Sequence, residues 1–151
     1  MKLNLAVLRG REGDVPFSYE PDLSAALPGS LSARDALASG RVSRRDGGHT
    51  GDGLTMLEGS LTAVLPLVCD RCAEPFERRK TVRVSCAVAR SGDAEDDGDV
   101  FICDGDELDL DEVFVPALIL DMDMKTLCRD DCGGLCPRCG GNLNTGGCRC
   151  P

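Results

Sequence analysis

Tryptophan is absent from this chain of 151 residues, tyrosine occurs once (Tyr19), phenylalanine four times and histidine once (His49). With so few large rings, a hydrophobic core has to rest on Val, Leu, Ile and Ala, and a rigid aromatic pocket is not expected. A single histidine with no HExxH around it does not supply the imidazoles of an open, catalytic zinc site. His49 stands in the glycine-rich RDGGHTGDG (Arg45 to Gly53) and reads as a solvated loop residue. No P-loop, GxGxxG or GxSxG occurs either, so the expectation is a protein that is not an enzyme and takes no small-molecule substrate. Long apolar runs are missing too: nothing approaches the roughly 18 residues of a membrane span. The opening MKLNLAVLRGRE has too short an apolar stretch for a signal peptide. The expected setting is cytoplasmic, without membrane contact, where thiols stay reduced.

What is abundant is acid and cysteine. The net charge is −9, and eleven acidic residues with no base fall between Ser91 and Glu112. The rest of the chain is close to neutral. A basic cluster survives at Arg71, Arg78, Arg79, Lys80 and Arg83. Nonspecific affinity for nucleic acid comes from Lys and Arg displacing counterions, so broad phosphate binding is disfavoured and any RNA contact has to be local to that cluster. The acidic stretch suits a basic protein partner instead.

Alternation of apolar and polar residues predicts strands at VPFSYE (Val15 to Glu20), GLTMLEGSLTAVLPLVCD (Gly53 to Asp70), TVRVSCAVAR (Thr81 to Arg90) and VFIC (Val100 to Cys103). The two long strands flank CDRCAEPFE, which reads as a hairpin connection with a CxxC at its tip. Ala33 to Ala38 has weak helical character, and SGDAEDDGD (Ser91 to Asp99) reads as a polar, unstructured loop. From Asp109, the residues Leu110, Val113, Phe114, Ala117 and Leu118 recur at helical spacing behind acids suited to a helix N-terminus. Pro116 interrupts that stripe and predicts a kink. The fold class expected is α+β, mainly antiparallel β with one or two helices. A β-rich domain over residues 1–125 would precede a cysteine-rich zinc ribbon over 126–151.

Of the ten cysteines, six fall in LCRDDCGGLCPRCGGNLNTGGCRC, Leu127 to Cys150. Zinc takes four thiolates in a tetrahedron, and two cysteines separated by two residues reach one metal from a tight turn. CPRCGG supplies Cys136 and Cys139, and CRC closes the set with Cys148 and Cys150. A glycine-rich appendage of about 25 residues cannot order itself without a metal or cross-link. The remaining pairs, Cys69 with Cys72 and Cys128 with Cys132, form a second candidate set that would clip the hairpin to the root of the tail. An alternative partition puts Cys128 or Cys132 into the tail site in place of Cys148 or Cys150, and spacing leaves that open. The expected cofactor is one or two Zn²⁺ ions, with iron as the alternative for all-thiolate ligands. Cys86 and Cys103 lie in strand-like runs and read as small buried hydrophobes. Thiol redox chemistry at Cys69 and Cys72 is the rival reading. Pro75 and the next strand, however, leave no room for the helix such a motif requires.

Taken together, VCDRCAEPFE, ELDLDEVFVPALIL and the cysteine-rich tail resemble the YceD family, bacterial proteins associated with accumulation of large-subunit ribosomal RNA. The specific motifs lie from Val68 onward. The resemblance implies a non-enzymatic factor in ribosome assembly whose partner is a ribosomal protein or large-subunit ribosomal RNA precursor. It favours Cys69, Arg71 and Cys72, with neighbouring Pro75 and Phe76, for the shared activity. A structural zinc adaptor with a non-ribosomal partner remains a third reading.

Overall fold

The computed structural model describes residues 1–8, 12–24, 33–45, 53–90 and 100–150. The readings made above for His49 and for Ser91 to Asp99 lie outside these residues. In chain order the elements are β1 (Lys2–Asn4), a 3-10 turn (Leu5–Leu8), β2 (Gly13–Tyr19), β3 (Arg34–Arg45), β4 (Leu54–Val68) and β5 (Pro75–Arg90). They continue with β6 (Val100–Cys103), β7 (Glu107–Asp109), the helix α1 (Asp111–Leu120) and a second 3-10 turn (Leu143–Thr145). The fold is α+β. Strands β2, β3, β4, β5 and β6 lie side by side in one sheet, antiparallel except for the parallel pair β5 and β6, while β1 and β7 form a separate antiparallel ladder.

Alternation along β4 decides which face of the sheet is covered. Leu57, Leu61, Ala63 and Leu65 are buried on one face, together with Ala38 and Val42 of β3 and Val82 and Val88 of β5. Onto them pack Val113, Phe114 and Leu118 of α1, Leu5 and Leu8 of the first 3-10 turn, and Leu108 and Leu110 beside the helix. On the opposite face Arg41, Glu58, Arg79, Thr81 and Arg83 are exposed. The helix keeps its i, i+1, i+5 core residues despite Pro116 and continues four residues beyond it, to Leu120. The lost backbone hydrogen bond is tolerated because the buried side chains on both sides of Pro116 hold the helix to the sheet. At its start, Asp109 accepts from the Asp111 N–H at 3.1 Å, and Asp111 accepts from the Tyr19 hydroxyl at 3.0 Å.

One expectation fails. Residues 34–38 are strand, not helix: β3 pairs with β2 on one side and β4 on the other, with a register shift between Arg34 and Leu37 where Asp35 has φ 50. Weak local propensity loses to the ladder with β4, joined from Ala38 onward by the ladder with β2, and the bulge absorbs the extra residue. Further along, Gly40 faces Gly59 across the β3/β4 ladder. The Phe17 and Phe114 rings, with centroids 5.8 Å apart, rest on this glycine pair. An added Cβ at Gly40 falls on the Glu58 carbonyl oxygen and comes within 2.9 Å of Phe17 Cζ. Gly40→Ala is therefore expected to destabilise by about 1–3 kcal/mol through overpacking, read as a lowered urea midpoint at unchanged slope.

Candidate metal centre

The hairpin joining β4 to β5 ends in the turn Cys69 to Glu74, closed by Cys69 N–H to the Glu74 carbonyl at 3.0 Å and Ala73 N–H to the Cys69 carbonyl at 2.9 Å. Ala73 takes φ 57. The tail repeats the construction: Gly140 N–H donates to the Cys136 carbonyl at 2.9 Å, and Gly140 has φ 70. Both CxxC motifs thus form the same knuckle, with the residue after the second cysteine in the left-handed region. Glycine fits that position without strain, and Ala73 adopts it at some steric cost.

The knuckles aim backbone donors at sulfur. In the hairpin the N–H groups of Arg71 and Cys72 point at the Cys69 thiol, and that of Glu74 at Cys72. In the tail those of Arg138 and Cys139 point at Cys136, and that of Gly141 at Cys139. Burial pushes the Cys69 thiol up, but the N–H groups of Cys128, Cys72 and Arg71 outweigh it and hold the thiol at about 6. The Gly141 and Arg149 N–H groups bring Cys139 to about 6 as well. Burial, with hydrogen bonds to its neighbours, pushes Cys128 up to about 12. Donors facing a sulfur stabilise thiolate, the form that ligates metal.

Eight cysteines gather in two sets of four: Cys69, Cys72, Cys128 and Cys132, and Cys136, Cys139, Cys148 and Cys150, with the sulfurs of each set within 4.8 Å of one another. The distances are 3.8 Å for Cys69 to Cys132 and for Cys72 to Cys128, then 4.0 Å for Cys136 to Cys150 and 3.9 Å for Cys139 to Cys148. A tetrahedron with metal–sulfur bonds of about 2.3 Å has edges of about 3.8 Å. These separations are nearly twice the roughly 2.05 Å of a disulfide. Both sets fit a four-coordinate metal ion closed to other ligands. The partition left open by spacing is resolved, because Cys128 and Cys132 lie with the hairpin pair and not with the tail. Cys103 is buried and Cys86 half-buried, both packed with the hydrophobic core and apart from either set.

The basic cluster is divided. Side chains alternate along β5, so Arg78 and Lys80 turn toward the covered face. Arg78 lies 5.3 Å from the Phe76 ring centroid, pairs with Asp123 at 3.0 Å and donates to the Leu127 carbonyl. Lys80 pairs with Asp121 at 3.3 Å and Asp123 at 3.5 Å. Arg71 donates to the Cys132 carbonyl at 3.0 Å. Together with the Asp70 carboxylate, which accepts from Thr126 N–H at 2.6 Å, these contacts lead the chain after α1 back to the hairpin and place Cys128 over the knuckle. Arg79 and Arg83 point the other way, onto the uncovered face, and Pro75 is exposed at the hairpin tip. Arg79 approaches Asp35 at 4.0 Å, and Arg83 has no ionic partner among the described residues.

Sequence reasoning missed Asp70, Asn142 and Asn144. Asp70 stands inside CDRC, and the two asparagines frame the NLN that precedes the last cysteines. Their signal was the presence of hydrogen-bonding side chains beside ligands, where metal sites are oriented by their surroundings.

A family model described as large ribosomal RNA subunit accumulation protein YceD matches residues 57–151, a span that contains the hairpin, α1 and both cysteine sets. Uncharacterized proteins of Mycobacterium bovis and Mycobacterium tuberculosis are 29% identical over 89 residues, which covers 56% of this chain and 43% of theirs. The chain thus spans less than half the length of these curated relatives. No solved structure matches it. Among the described residues no helix is long and apolar enough to cross a membrane.

Proposed function

The chain belongs to the YceD family, described as large ribosomal RNA subunit accumulation proteins, and from that premise we propose that it is a non-enzymatic factor of large-subunit assembly. Membership carries the reading, since the matched span includes the hairpin tip, the helix and the whole cysteine-rich tail. In this reading both cysteine sets hold Zn²⁺ and build a rigid head at the end of the β4/β5 hairpin. The ion neutralises half the charge of four thiolates and fixes them in a tetrahedron. The fully thiolate donor sets leave no position for a reacting water, which favours a structural role over catalysis.

Contact with a ribosomal protein or precursor RNA is assigned to the surface that remains chemically available. Arg79 and Arg83 flank Thr81 on the uncovered face of β5, Arg71 stands at the knuckle, and Pro75 is exposed between them. Arg78 and Lys80 serve instead to hold the segment that leads to Cys128. The setting is the bacterial cytoplasm, where a structural dithiol pair stays reduced and metal-bound. Convergence of Cys69 and Cys72 with two further thiols at metal spacing favours this reading over thiol exchange.

The test is a depletion strain assayed for large-subunit ribosomal RNA and its precursors, complemented with the wild-type chain and with an Arg79→Glu, Arg83→Glu double variant. Depletion is expected to lower mature large-subunit RNA. Charge reversal is expected to weaken recovery of ribosomal material in a pull-down by roughly tenfold while leaving folding and metal content unchanged. Nuclease treatment of the pull-down distinguishes RNA from protein contact. Normal RNA levels on depletion would sink the proposal.

A further inference from the structure

The two cysteine sets are joined by more than the chain. Cys132, the last of the hairpin set, and Cys136, the first of the tail set, are separated by Gly133, Gly134 and Leu135. The loop between Cys139 and Cys148 folds back over that junction. Leu143 N–H donates to the Gly134 carbonyl at 2.9 Å, and Asn142 Nδ2 donates to Glu74 Oε1 at 3.2 Å. At the centre stands Asn144, whose Nδ2 lies 3.4 Å from Cys132 Sγ.

The orientation of this amide is fixed by its neighbours. Its Oδ1 accepts from Gly133 N–H at 2.8 Å and from Arg129 at 2.8 Å, both obligate donors. Its Nδ2 meets Asn142 Oδ1 at 2.8 Å and the Cys132 sulfur. A flipped amide would set donor against donor on one side. Asn144 therefore presents an N–H to a ligand of one metal set from a loop whose two ends are ligands of the other.

The sets differ in burial by degree. In the hairpin set Cys69, Cys72 and Cys132 are 1–4% exposed and Cys128 is half-buried, whereas in the tail set Cys136 alone is buried, Cys148 and Cys150 are half-buried and Cys139 is exposed. We infer that the tail set acts as a lock on the hairpin set: metal in the tail holds the 140–147 loop in place, and the loop, through Asn144, stabilises the Cys132 thiolate and retains the hairpin metal. Exposed hydrogen bonds of about 0.5–1.5 kcal/mol each do not hold a loop rich in glycine by themselves, so the tether at Cys139 and Cys148 decides whether Asn144 is present. Outer hydrogen bonds to metal ligands are typically worth tenfold to a hundredfold in affinity. The inference rests on the reading that both sets bind zinc.

The experiment is exchange of zinc in the loaded full chain against an enriched zinc isotope, at a buffered free-zinc level that keeps the tail set occupied, followed by native mass spectrometry. Two ions are expected to exchange in two phases, the fast one from the tail. Asn144→Ala should speed the slow phase by about tenfold to a hundredfold. Asn144→Asp keeps the oxygens that Gly133 and Arg129 use but removes the donor to sulfur. It should release the hairpin ion at least as fast as Asn144→Ala, and since it also loses the bond to Asn142 Oδ1, Asn142→Ala is the control that removes this acceptor while keeping the donor to sulfur. In a Cys139→Ser, Cys148→Ser double variant one ion should remain and leave at the Asn144→Ala rate, with little further change when Asn144→Ala is added. A slow phase at the wild-type rate in either the Asn144→Ala or the double-serine variant overturns the lock, as does wild-type behaviour of Asn144→Asp. A chain that binds no metal overturns both the lock and the zinc reading, whereas two bound ions with unaltered slow release overturn only the lock.

Discussion

Stripping the metal from the loaded chain with a strong chelator is expected to release residues 126–150 from the hairpin while the sheet and α1 stay folded. The hydrophobic contacts form two separate clusters. The large one joins sheet, helix and first 3-10 turn, and the small one comprises Cys69, Cys72 and Cys132 with, among the described residues, only Phe76, Leu127 and Cys128 packed against it. Phe76 and Leu127, each only half-buried, contribute at most about 3 kcal/mol apiece. Structural zinc in small peptides contributes on the order of 10–16 kcal/mol at neutral pH. Metal is thus the term that decides whether the tail is ordered. The expected readout is rapid amide exchange and protease cleavage between Leu127 and Cys150, with protection retained in β3, β4 and β5. Acid should act in the same direction, since protons compete with the ion for thiolate. Loss of the whole β-sheet signal on chelation would show that the head is required for the core, contrary to this division.

Replacing Phe114 with alanine is expected to cost about 3–5 kcal/mol, a large share of the roughly 5–15 kcal/mol that separates folded from unfolded domains. Phe114 is fully buried on α1, packs tilted against Phe17 at 5.8 Å, and comes so near Gly59 that a Cβ there would lie 2.9 Å from its ring. The sheet has been emptied of side chains at Gly40 and Gly59 to admit this ring, so truncation leaves a cavity that neighbouring glycines cannot fill. Urea unfolding followed by circular dichroism measures the cost. Because the cysteine sets lie outside this cluster, the folded fraction of the variant should carry the same number of metal ions as the wild type. A loss below about 1 kcal/mol would mean that the helix does not anchor to the sheet through this residue.

The sequence alone determined whatever depends on neighbours a few residues apart. Alternation in GLTMLEGSLTAVLPLVCD and TVRVSCAVAR specified two strands joined by a hairpin, although the second begins at Pro75, earlier than its alternation announced, and leaves only Cys69 to Glu74 as the tip. Cysteines two residues apart had to share a turn, and a tail whose large apolar side chains are three leucines had to be ordered by something other than a core. Tertiary structure alone decided the matters in which distant segments compete. Cys69 meets Cys132 across 63 positions, and spacing carries no information about which of two nearby cysteine pairs closes so long a loop. Residues 34–38 became strand because β4 pairs with them and Ala38 also pairs with β2, whatever their own weak preference. Arg78 and Arg79 look alike in sequence, yet the pleat turns one toward Asp123 and Leu127 and the other toward solvent. Asn144 owes its place beside Cys132 to the loop between Cys139 and Cys148 folding back over Gly133 and Gly134, a contact that exists in space and not along the chain.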